Sequence, residues 1–262
     1  MNIVVCLKQV PDTEAPIRIR PGGSGIDETG LNLVMNYYDE HATEAALRLR
    51  EQFGGTVTVV AVGPERAREA LRQALAMGAD EATLVRDPAL EGADHLLVAR
   101  ALAAFIRPRA ADVVICGKLS TDDNAAIVGP ALAEFLDLPQ ATAIARLDVD
   151  AGGASATVHR ELEGALEVLE IPLPAVFTVE RSLNEPRYPS LPGIMKAKRK
   201  DIAVLDLAGL GLSPEEMGSP GSTLAGLTAP PARTAGMQVN GADPDAAVKA
   251  IVAFLSDRAK VL

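Results

Sequence analysis

Short apolar runs alternate with amphipathic segments through the first half of the chain. The apolar runs cover residues 2–10, 56–62, 81–85 and 112–116. The amphipathic segments, whose apolar residues recur every three or four positions as on one helix face, cover residues 39–52, 65–77, 94–106 and 124–136. Strands that alternate with helices indicate a mostly parallel sheet with helices on both faces. We therefore predict a doubly wound, Rossmann-like α/β fold.

The first amphipathic segment divides into an apolar face and a charged face. The apolar face consists of Ala42, Ala45, Ala46 and Leu49. The charged face, which we expect to be exposed to water, consists of Glu44, Arg48 and Glu51. Gly54 and Gly55 are predicted to end this helix, and Asp94 is predicted to cap the third one.

The pattern changes in the second half of the chain. Residues 144–181 contain two or three strands of alternating polarity, which we expect to extend the sheet, partly in antiparallel fashion, and residues 202–207 give one more strand. Residues 208–243 are rich in Gly, Pro and Ser and cannot form a core of their own, so they are predicted to be an extended arm. A final helix is predicted at 244–262, packed on its own domain or on another subunit. We therefore divide the chain into an α/β domain, 1–207, and a C-terminal arm and helix, 208–262.

The composition excludes several classes of protein. Aromatic residues make up 3% of the 262 residues and Trp is absent, so the core must be aliphatic, as in buried parallel sheets. A formal net charge of −10 makes the chain a poor nucleic-acid binder. The sequence lacks an uncharged apolar run of about 18 residues and the start of a signal peptide, so we expect a cytoplasmic protein.

The cysteines and histidines do not have the spacing of metal ligands. Cys6 and Cys116 both lie in apolar runs, which predicts small buried side chains rather than a disulfide or a metal pair. His41, His95 and His159 are far apart, and no CxxC or HxxxH spacing occurs. The sequence also lacks a Gly-rich phosphate loop and a GxGxxG turn. We therefore expect no metal site.

Ligands of doubly wound sheets bind beyond the carboxyl ends of the strands, which here are followed by loops near residues 6–9, 61–64 and 117–128. The third loop, GKLSTDDNAAIV, is the most suggestive. Its glycine allows backbone to approach a ligand, and its polar residues precede a predicted helix whose first N–H groups would suit a phosphate. The same polar residues are equally typical of a simple helix N-cap, and the sequence leaves both interpretations open.

Residues 183–200, LNEPRYPSLPGIMKAKRK, combine three prolines, Leu191 and a basic end. Proline fixes φ and lacks an N–H donor, so the middle of this segment should be neither regular helix nor central strand. The pattern is typical of a surface loop built for contact, but also of an ordinary exposed loop with a solvated basic end.

Three strings resemble the electron transfer flavoprotein β subunit, a family of the adenine nucleotide α-hydrolase-like superfamily. Residues 183–200 match the family string LNEPRY..LP.IMKAK, HRELEGALEVL at 159–169 matches REI.GGLE.L, and APPARTAG at 229–236 matches a P..R.AG arm. The resemblance runs from residue 3 to the end of the chain.

The resemblance implies an electron carrier subunit rather than an enzyme. It implies a heterodimer with an electron transfer flavoprotein α subunit that holds most of an FAD. Electrons would pass from acyl-CoA dehydrogenase-type flavoenzymes of fatty acid oxidation to a quinone oxidoreductase. The 1–207 domain would bind a structural AMP, and the arm and helix would pack on the α subunit.

The AMP contacts that the resemblance implies come from four places in the chain. They are Cys6, Asn36, Tyr37, Tyr38, Asp39, Val62, Gly117, Lys118, Leu119, Ser120, Thr121, Asp122, Asp123, Asn124, Ala125, Ala126, Ile127 and Val128. Two departures from the family pattern affect these contacts. Tyr37 stands where the family has proline, and residues 125–128 replace a polar Asn-Gln-Thr string.

Two other functions stay open at this point. A bifurcating branch of the family holds a second FAD in the AMP position and oxidises NADH, and the strings VGP at 128–130 and KQVPDT at 8–13 resemble that branch. A stand-alone adenine-nucleotide-binding regulator would have the same sheet but would need neither the 183–200 segment nor the arm.

The resemblance also implies residues that contact other proteins. The partner-recognition residues are Tyr188, Leu191, Pro192, Ile194, Met195 and Lys196. Among them, Leu191 would insert into a hydrophobic pocket of the donor enzyme. Glu161 and Arg233 would contact the α subunit or its flavin domain.

Overall fold

The computed structural model describes residues 1–231 and 236–261. In this part of the chain the strands are β1 (Asn2–Leu7), β2 (Gln9–Pro11), β3 (Leu33–Met35), β4 (Thr56–Val62), β5 (Glu81–Val85), β6 (Val113–Gly117), β7 (Gln140–Val149), β8 (Ser155–Leu162), β9 (Ala165–Pro172), β10 (Ala175–Val179) and β11 (Ala203–Leu205). The α-helices are α1 (Tyr37–Phe53), α2 (Arg68–Met77), α3 (His95–Ile106), α4 (Val128–Leu136), α5 (Leu191–Arg199), α6 (Pro214–Met217) and α7 (Pro244–Ala253).

Nine of these strands form one sheet in the order β11-β5-β4-β1-β6-β10-β7-β8-β9. Neighbours from β11 to β7 are parallel, whereas β7, β8 and β9 pair antiparallel. The predicted sheet, with its partly antiparallel extension, is therefore confirmed. Strands β2 and β3 form a separate antiparallel pair next to the end of β1.

The side chains of β1 show why both sheet faces carry helices. Successive residues of a strand point to opposite faces. Ile3 and Val5 pack in one apolar cluster with the buried residues of α1 and α2, and Val4 and Cys6 pack in a second cluster with those of α3 and α4. Because both faces of the central strands are covered, the predicted doubly wound α/β class is confirmed.

The charged face of α1 differs from the prediction. Glu44 is buried, with 3% of its surface exposed, because the segment that precedes α5 crosses this face. The Arg187 Nε donates to Glu44 at 2.7 Å, and the Arg48 Nε donates to the other Glu44 oxygen at 2.6 Å. The periodicity identified the charged residue correctly but could not show that a distant arginine covers it.

The start of α4 was also predicted wrongly. The helix begins at Val128 rather than at Asn124. Asn124 and Ala126 have φ values of 54° and 55°, in the left-handed region that a right-handed helix cannot include. The residues before α4 therefore form an irregular loop.

Half of the segment 183–200 is helical, which corrects the prediction of an irregular loop. Pro192 lies in the first turn of α5, where a backbone N–H has no helical partner and proline is tolerated. The Ser190 hydroxyl accepts a hydrogen bond from the Gly193 N–H at 3.2 Å and caps this turn. The basic residues fall in the last turn, where they complement the helix dipole.

The arm begins on its own domain. Met217 of the arm packs with Leu97 and Ala101 of α3 and with Leu207 at the end of the α/β domain, so the first part of the arm contributes to a small core that α3 completes. Asp94 caps α3 through the Leu97 N–H as predicted, and its other oxygen accepts hydrogen bonds from the N–H groups of residues 221 and 222 at 2.7 and 3.1 Å. Residues 219–231 then continue without helix or strand.

The last helix is shorter than predicted and buries none of its residues. Helix α7 ends at Ala253 and continues as a π-helical turn over Phe254–Arg258. Val248, Ile251 and Val252 are each about half exposed. Of the two alternatives for this helix, packing on its own domain is therefore not observed in the described residues.

We predict that Gly129→Ala destabilises the fold by about 1–3 kcal/mol. A Cβ at Gly129 would collide with the Cγ2 of Thr178 on β10. Thr178 is buried, and its hydroxyl accepts a 2.8 Å hydrogen bond from the Ala143 N–H, so it cannot move aside without losing that bond. Urea unfolding measures the loss. Gly241→Ala, which meets no atom within 4 Å, is the control and should change stability little; equal effects of the two variants would contradict the prediction.

Candidate functional site

A cavity of about 300 Å³ lies beyond the carboxyl ends of β1, β4 and β6, where the topology places ligands of such sheets. Helix α3 and the start of α4 complete its walls. It brings together most of the predicted nucleotide contacts. These are Cys6, Asn36, Asp39, Val62, Gly117, Lys118, Leu119, Ser120, Asp123, Ala125, Ala126, Ile127 and Val128.

Five predicted contacts do not line the cavity. They are Tyr37, Tyr38, Thr121, Asp122 and Asn124. Tyr37 is half-exposed and stacks edge-on against His41, with the ring centroids 4.9 Å apart. The lining also includes residues that were not predicted as nucleotide contacts: Leu7, Lys8, Ala93, His95, Val98, Leu102, Cys116 and Gly129. Lys8 lies in the loop after β1 that the topology rule identified, but only the fold shows that α3 contributes a wall.

Asp39 joins the ends of two central strands. Its carboxylate accepts hydrogen bonds from the Lys8 N–H after β1, at 2.7 Å, and from the Gly117 N–H at the end of β6, at 3.2 Å. Both N–H groups would otherwise be left without an acceptor in a partly buried place. A Cβ at Gly117 would collide with Asp39 and Tyr38, so only glycine allows this approach.

Burial raises the pKa of Asp39 to about 7, although its hydrogen bonds from Lys8 and Gly117 act in the opposite direction. The carboxyl group is 5% exposed, so water cannot solvate its charge. It therefore changes charge near neutral pH, far above the usual range of an aspartate.

Asn36 fixes the first part of the loop 117–128. Its side-chain amide donates to the Leu119 carbonyl at 2.9 Å, and its side-chain oxygen accepts from the Thr121 N–H at 3.1 Å. It stands at the N-cap position of α1 but caps no N–H group of that helix. The Asn36 side chain therefore forms its hydrogen bonds with the loop instead of with its own helix.

A group of polar side chains, which we name the charged cluster, lies at the mouth of the cavity. It consists of Lys8, His95, Ser120, Asp122 and Asp123. The Lys8 ammonium contacts Asp122 at 2.7 Å, Asp123 at 3.1 Å and the Ser120 hydroxyl at 3.2 Å. The His95 Nε2 lies 2.9 Å from Asp123. Burial raises the pKa of Asp123, but hydrogen bonds from His95, the Ala125 N–H and Lys8 outweigh it, and the pKa lies well below its usual range.

The first turn of α4 opens onto the cavity without a cap. Residues 125–129 line the cavity, and among the described residues no side chain accepts a hydrogen bond from the N–H groups of Val128 and Gly129. These are the two free donors of the first turn, since Pro130 has no N–H. The N-cap interpretation of the polar string is therefore wrong: Asp123 accepts from the Ala125 N–H inside the loop instead. A helix start of this kind attracts an anion through its free N–H groups and its dipole.

Cys6 and Cys116 form part of the cavity floor. They are direct neighbours in the register of β1 and β6. The predicted burial of both thiols is confirmed, and neither forms a disulfide. The hydrogen bond to Cys116, together with burial, raises the pKa of the Cys6 thiol, so this part of the floor is uncharged.

The predicted partner-recognition residues lie on an exposed surface away from the cavity. Tyr188 is 95% exposed and Leu191 is 74% exposed, whereas Ile194 and Met195 are partly exposed. Arg187, next to this surface, binds both Glu44 and Glu51 of α1 and so fixes the chain just before α5. Pro192 and Lys196 belong to the same helix.

The two residues expected to contact the α subunit lie elsewhere. Glu161 is exposed on the β8–β9 hairpin, paired in register with Leu166. The hairpin also exposes Leu162 and Val168, about half of each side chain. Arg233 lies outside the described residues.

The comparisons with known proteins agree on one family. A family model described as the electron transfer flavoprotein domain matches residues 24–210. The electron transfer flavoprotein subunit beta of Bacillus subtilis (strain 168) is 38% identical over 263 residues, covering 100% of both chains. That of Thermoanaerobacterium thermosaccharolyticum is 42% identical over 223 residues, covering 85% of each chain. The protein FixA of Azotobacter vinelandii is 40% identical over 222 residues, covering 83% of this chain and 79% of the relative.

None of the helices in the described residues is both long and apolar enough to cross a bilayer.

We predict that Asp39 makes the fold less stable as the pH rises from about 4 to about 7. The folded state keeps the Asp39 proton to a pKa of about 7, whereas the unfolded chain releases it near 3.8. Between these values the folded state binds more protons, so the free energy of unfolding falls with rising pH, by an amount on the order of 3 kcal/mol.

Urea unfolding at pH 5 and pH 8 tests this prediction. The wild-type protein should lose more stability between the two pH values than Asp39→Asn, which cannot ionise. All other titrating groups are shared, so the difference between the two pH dependences isolates Asp39. Parallel pH dependences for the two proteins would contradict the prediction, because the folded and unfolded states would then bind the same number of protons at Asp39.

Proposed function

The chain belongs to the electron transfer flavoprotein β-subunit family, and from this premise we propose that it binds AMP in the cavity as a structural ligand. The subunit name of its relatives implies a partner subunit, and we propose that this α subunit holds most of the FAD. The complex would accept electrons from acyl-CoA dehydrogenase-type flavoenzymes and deliver them to a quinone oxidoreductase. We propose a cytoplasmic location.

The uncapped first turn of α4 carries the AMP proposal. Its N–H groups lie against a cavity whose charged side chains are already paired, so a phosphate would find its best donors there. Lys118 gives one of its three N–H donors to Glu180 at 2.7 Å and also lines the cavity, so it could add a donor to those of the helix. The polar Asn-Gln-Thr groups missing from residues 125–128 are thus not needed for the phosphate, because the backbone supplies the donors.

The size and lining of the cavity also favour a mononucleotide. A volume of about 300 Å³ is at the lower end of the roughly 300–1,000 Å³ typical of ligand sites. Val62, Val98 and Leu102 form an apolar part of the walls, as a purine ring requires. FAD contains a whole AMP together with a flavin mononucleotide, and would extend beyond this volume.

The small molecules released from the denatured heterodimer test this proposal. We expect mass spectrometry to find one AMP and one FAD for each heterodimer of this chain and its α subunit. The reason is that the cavity accommodates one mononucleotide and the proposed flavin site lies mainly on the α subunit. Two FAD and no AMP would overturn the proposal and favour the bifurcating function. No nucleotide other than the single FAD would overturn the AMP site alone.

A second measurement tests the proposed docking residue. We predict that Leu191→Ala lowers kcat/KM for electron transfer from the dehydrogenase about tenfold, since burial of an aliphatic side chain contributes about 1.5–3 kcal/mol. Leu191 is 74% exposed and lies on a segment that Arg187 and Ser190 hold in place. The FAD and AMP contents should not change.

Ile17→Ala is the matched control, because Ile17 is an aliphatic side chain, 50% exposed, outside this segment. It should leave electron transfer unchanged. Loss of FAD from Leu191→Ala, or an equal slowing by the control, would contradict the proposed role of Leu191.

A further inference from the structure

The charged cluster connects three separate parts of the chain. Lys8 follows β1, His95 begins α3, and Asp122 and Asp123 belong to the loop 117–128. Asn36 and Asp39 fix the first part of this loop, and α4 begins directly after it. Between these two ends, the hydrogen bonds that join residues 122–127 to Lys8 and to α3 in the described structure all involve Asp122 or Asp123.

The middle of the loop therefore depends on ionic contacts. Residues 124 and 126 have left-handed backbone conformations, which are unfavourable for residues other than glycine. Such a conformation persists only where other contacts impose it. The contacts of Asp122 and Asp123 with Lys8 and His95 meet this requirement.

Lys8 is not available to bind a ligand phosphate. An ammonium group has three N–H donors, and Lys8 contacts three acceptors, one each on Ser120, Asp122 and Asp123. Asp122 and Asp123 carry two negative charges and Lys8 carries one positive charge. The net charge of these three groups is therefore negative and repels an anion. The charged cluster thus has a role other than phosphate binding.

We propose that the charged cluster is a latch that closes the loop 117–128 over the cavity, so that a ligand enters and leaves only while the contacts of Asp123 with Lys8 and His95 are broken. Asp123 is the positioning residue of this latch. The inference about ligand exchange rests on the proposed AMP site, whereas the closure of the loop does not.

Hydrogen exchange of the full-length chain, without added nucleotide, tests the closure itself. The amides of residues 119–127 should exchange about tenfold faster in Asp123→Asn than in the wild-type protein. The exposed ion pair with Lys8 contributes up to about a factor of five, and the variant also weakens the hydrogen bond with His95. Since side chains of the cluster are between 29% and 41% exposed, wild-type exchange should also rise with salt. Exchange of Asp123→Asn should rise less, because the variant keeps only the Lys8–Asp122 ion pair.

Lys8→Met is a second variant that removes the ammonium but keeps the backbone N–H that Asp39 binds. It should reproduce both effects, and it remains informative if Asp123→Asn fails to fold. Asp148→Asn is the matched control, because it breaks the Arg146–Asp148 ion pair on β7, far from the loop. Unchanged exchange of residues 119–127 in both cluster variants would overturn the latch.

Stopped-flow kinetics with a fluorescent N-methylanthraniloyl derivative of AMP test the effect on exchange of the ligand. A latch predicts that association and dissociation both become about tenfold faster in Lys8→Met, with little change in Kd, because opening precedes both steps and Lys8 is not one of the predicted AMP contacts. Faster dissociation with unchanged association would mean that Lys8 contacts the ligand directly and would overturn the latch. Absence of binding to the wild-type chain would overturn the AMP proposal alone, since hydrogen exchange still decides the closure.

Discussion

One buried carboxylate determines the arrangement of the carboxyl edge of the sheet. Parallel strands end with N–H groups that need acceptors, and burial makes an unpaired group costly. Asp39 supplies acceptors to the ends of both β1 and β6. Since Asp39 belongs to α1, the same two hydrogen bonds fix the position of this helix along the sheet. The shape of the cavity follows from this contact.

The contact also restricts the residues around it. Position 117 must be glycine because the carboxylate occupies the place of a Cβ. The loop that follows starts from this point and is then directed by Asn36. A short sequence at the start of α1, from 36 to 39, thus controls a loop about 80 residues further along the chain.

The sequence predicted the features that depend on local pattern. Strands β4 and β5, the cap at Asp94 and the glycine-ended helix α1 are close to their predicted bounds, since periodicity, caps and turn residues specify them locally. Two predictions failed because they depend on hydrogen bonds that the periodic pattern does not reveal. Glu44 is buried by Arg187, which lies 143 residues away. The start of α4 is displaced because Asp123 accepts hydrogen bonds within its own loop.

The candidate site shows the same limit. The topology rule identified the three loops correctly in outline, because the carboxyl ends of parallel strands follow from strand order. The rule says nothing about which helix covers the edge, so His95 and the apolar residues of α3 were missed. Family resemblance identified Asn36 and Asp39, whereas their structural roles became clear only from their hydrogen-bond partners.

The attachment of the arm to Asp94 has a consequence for sequence divergence. One carboxylate holds the arm through two main-chain N–H groups rather than through side chains. Any residue except proline offers such a donor at positions 221 and 222. Substitution can therefore alter the surface of the arm at these positions while its path across α3 is retained. The sequence of the arm can therefore change while Asp94, which holds the arm, is retained, because the two lie in different parts of the chain.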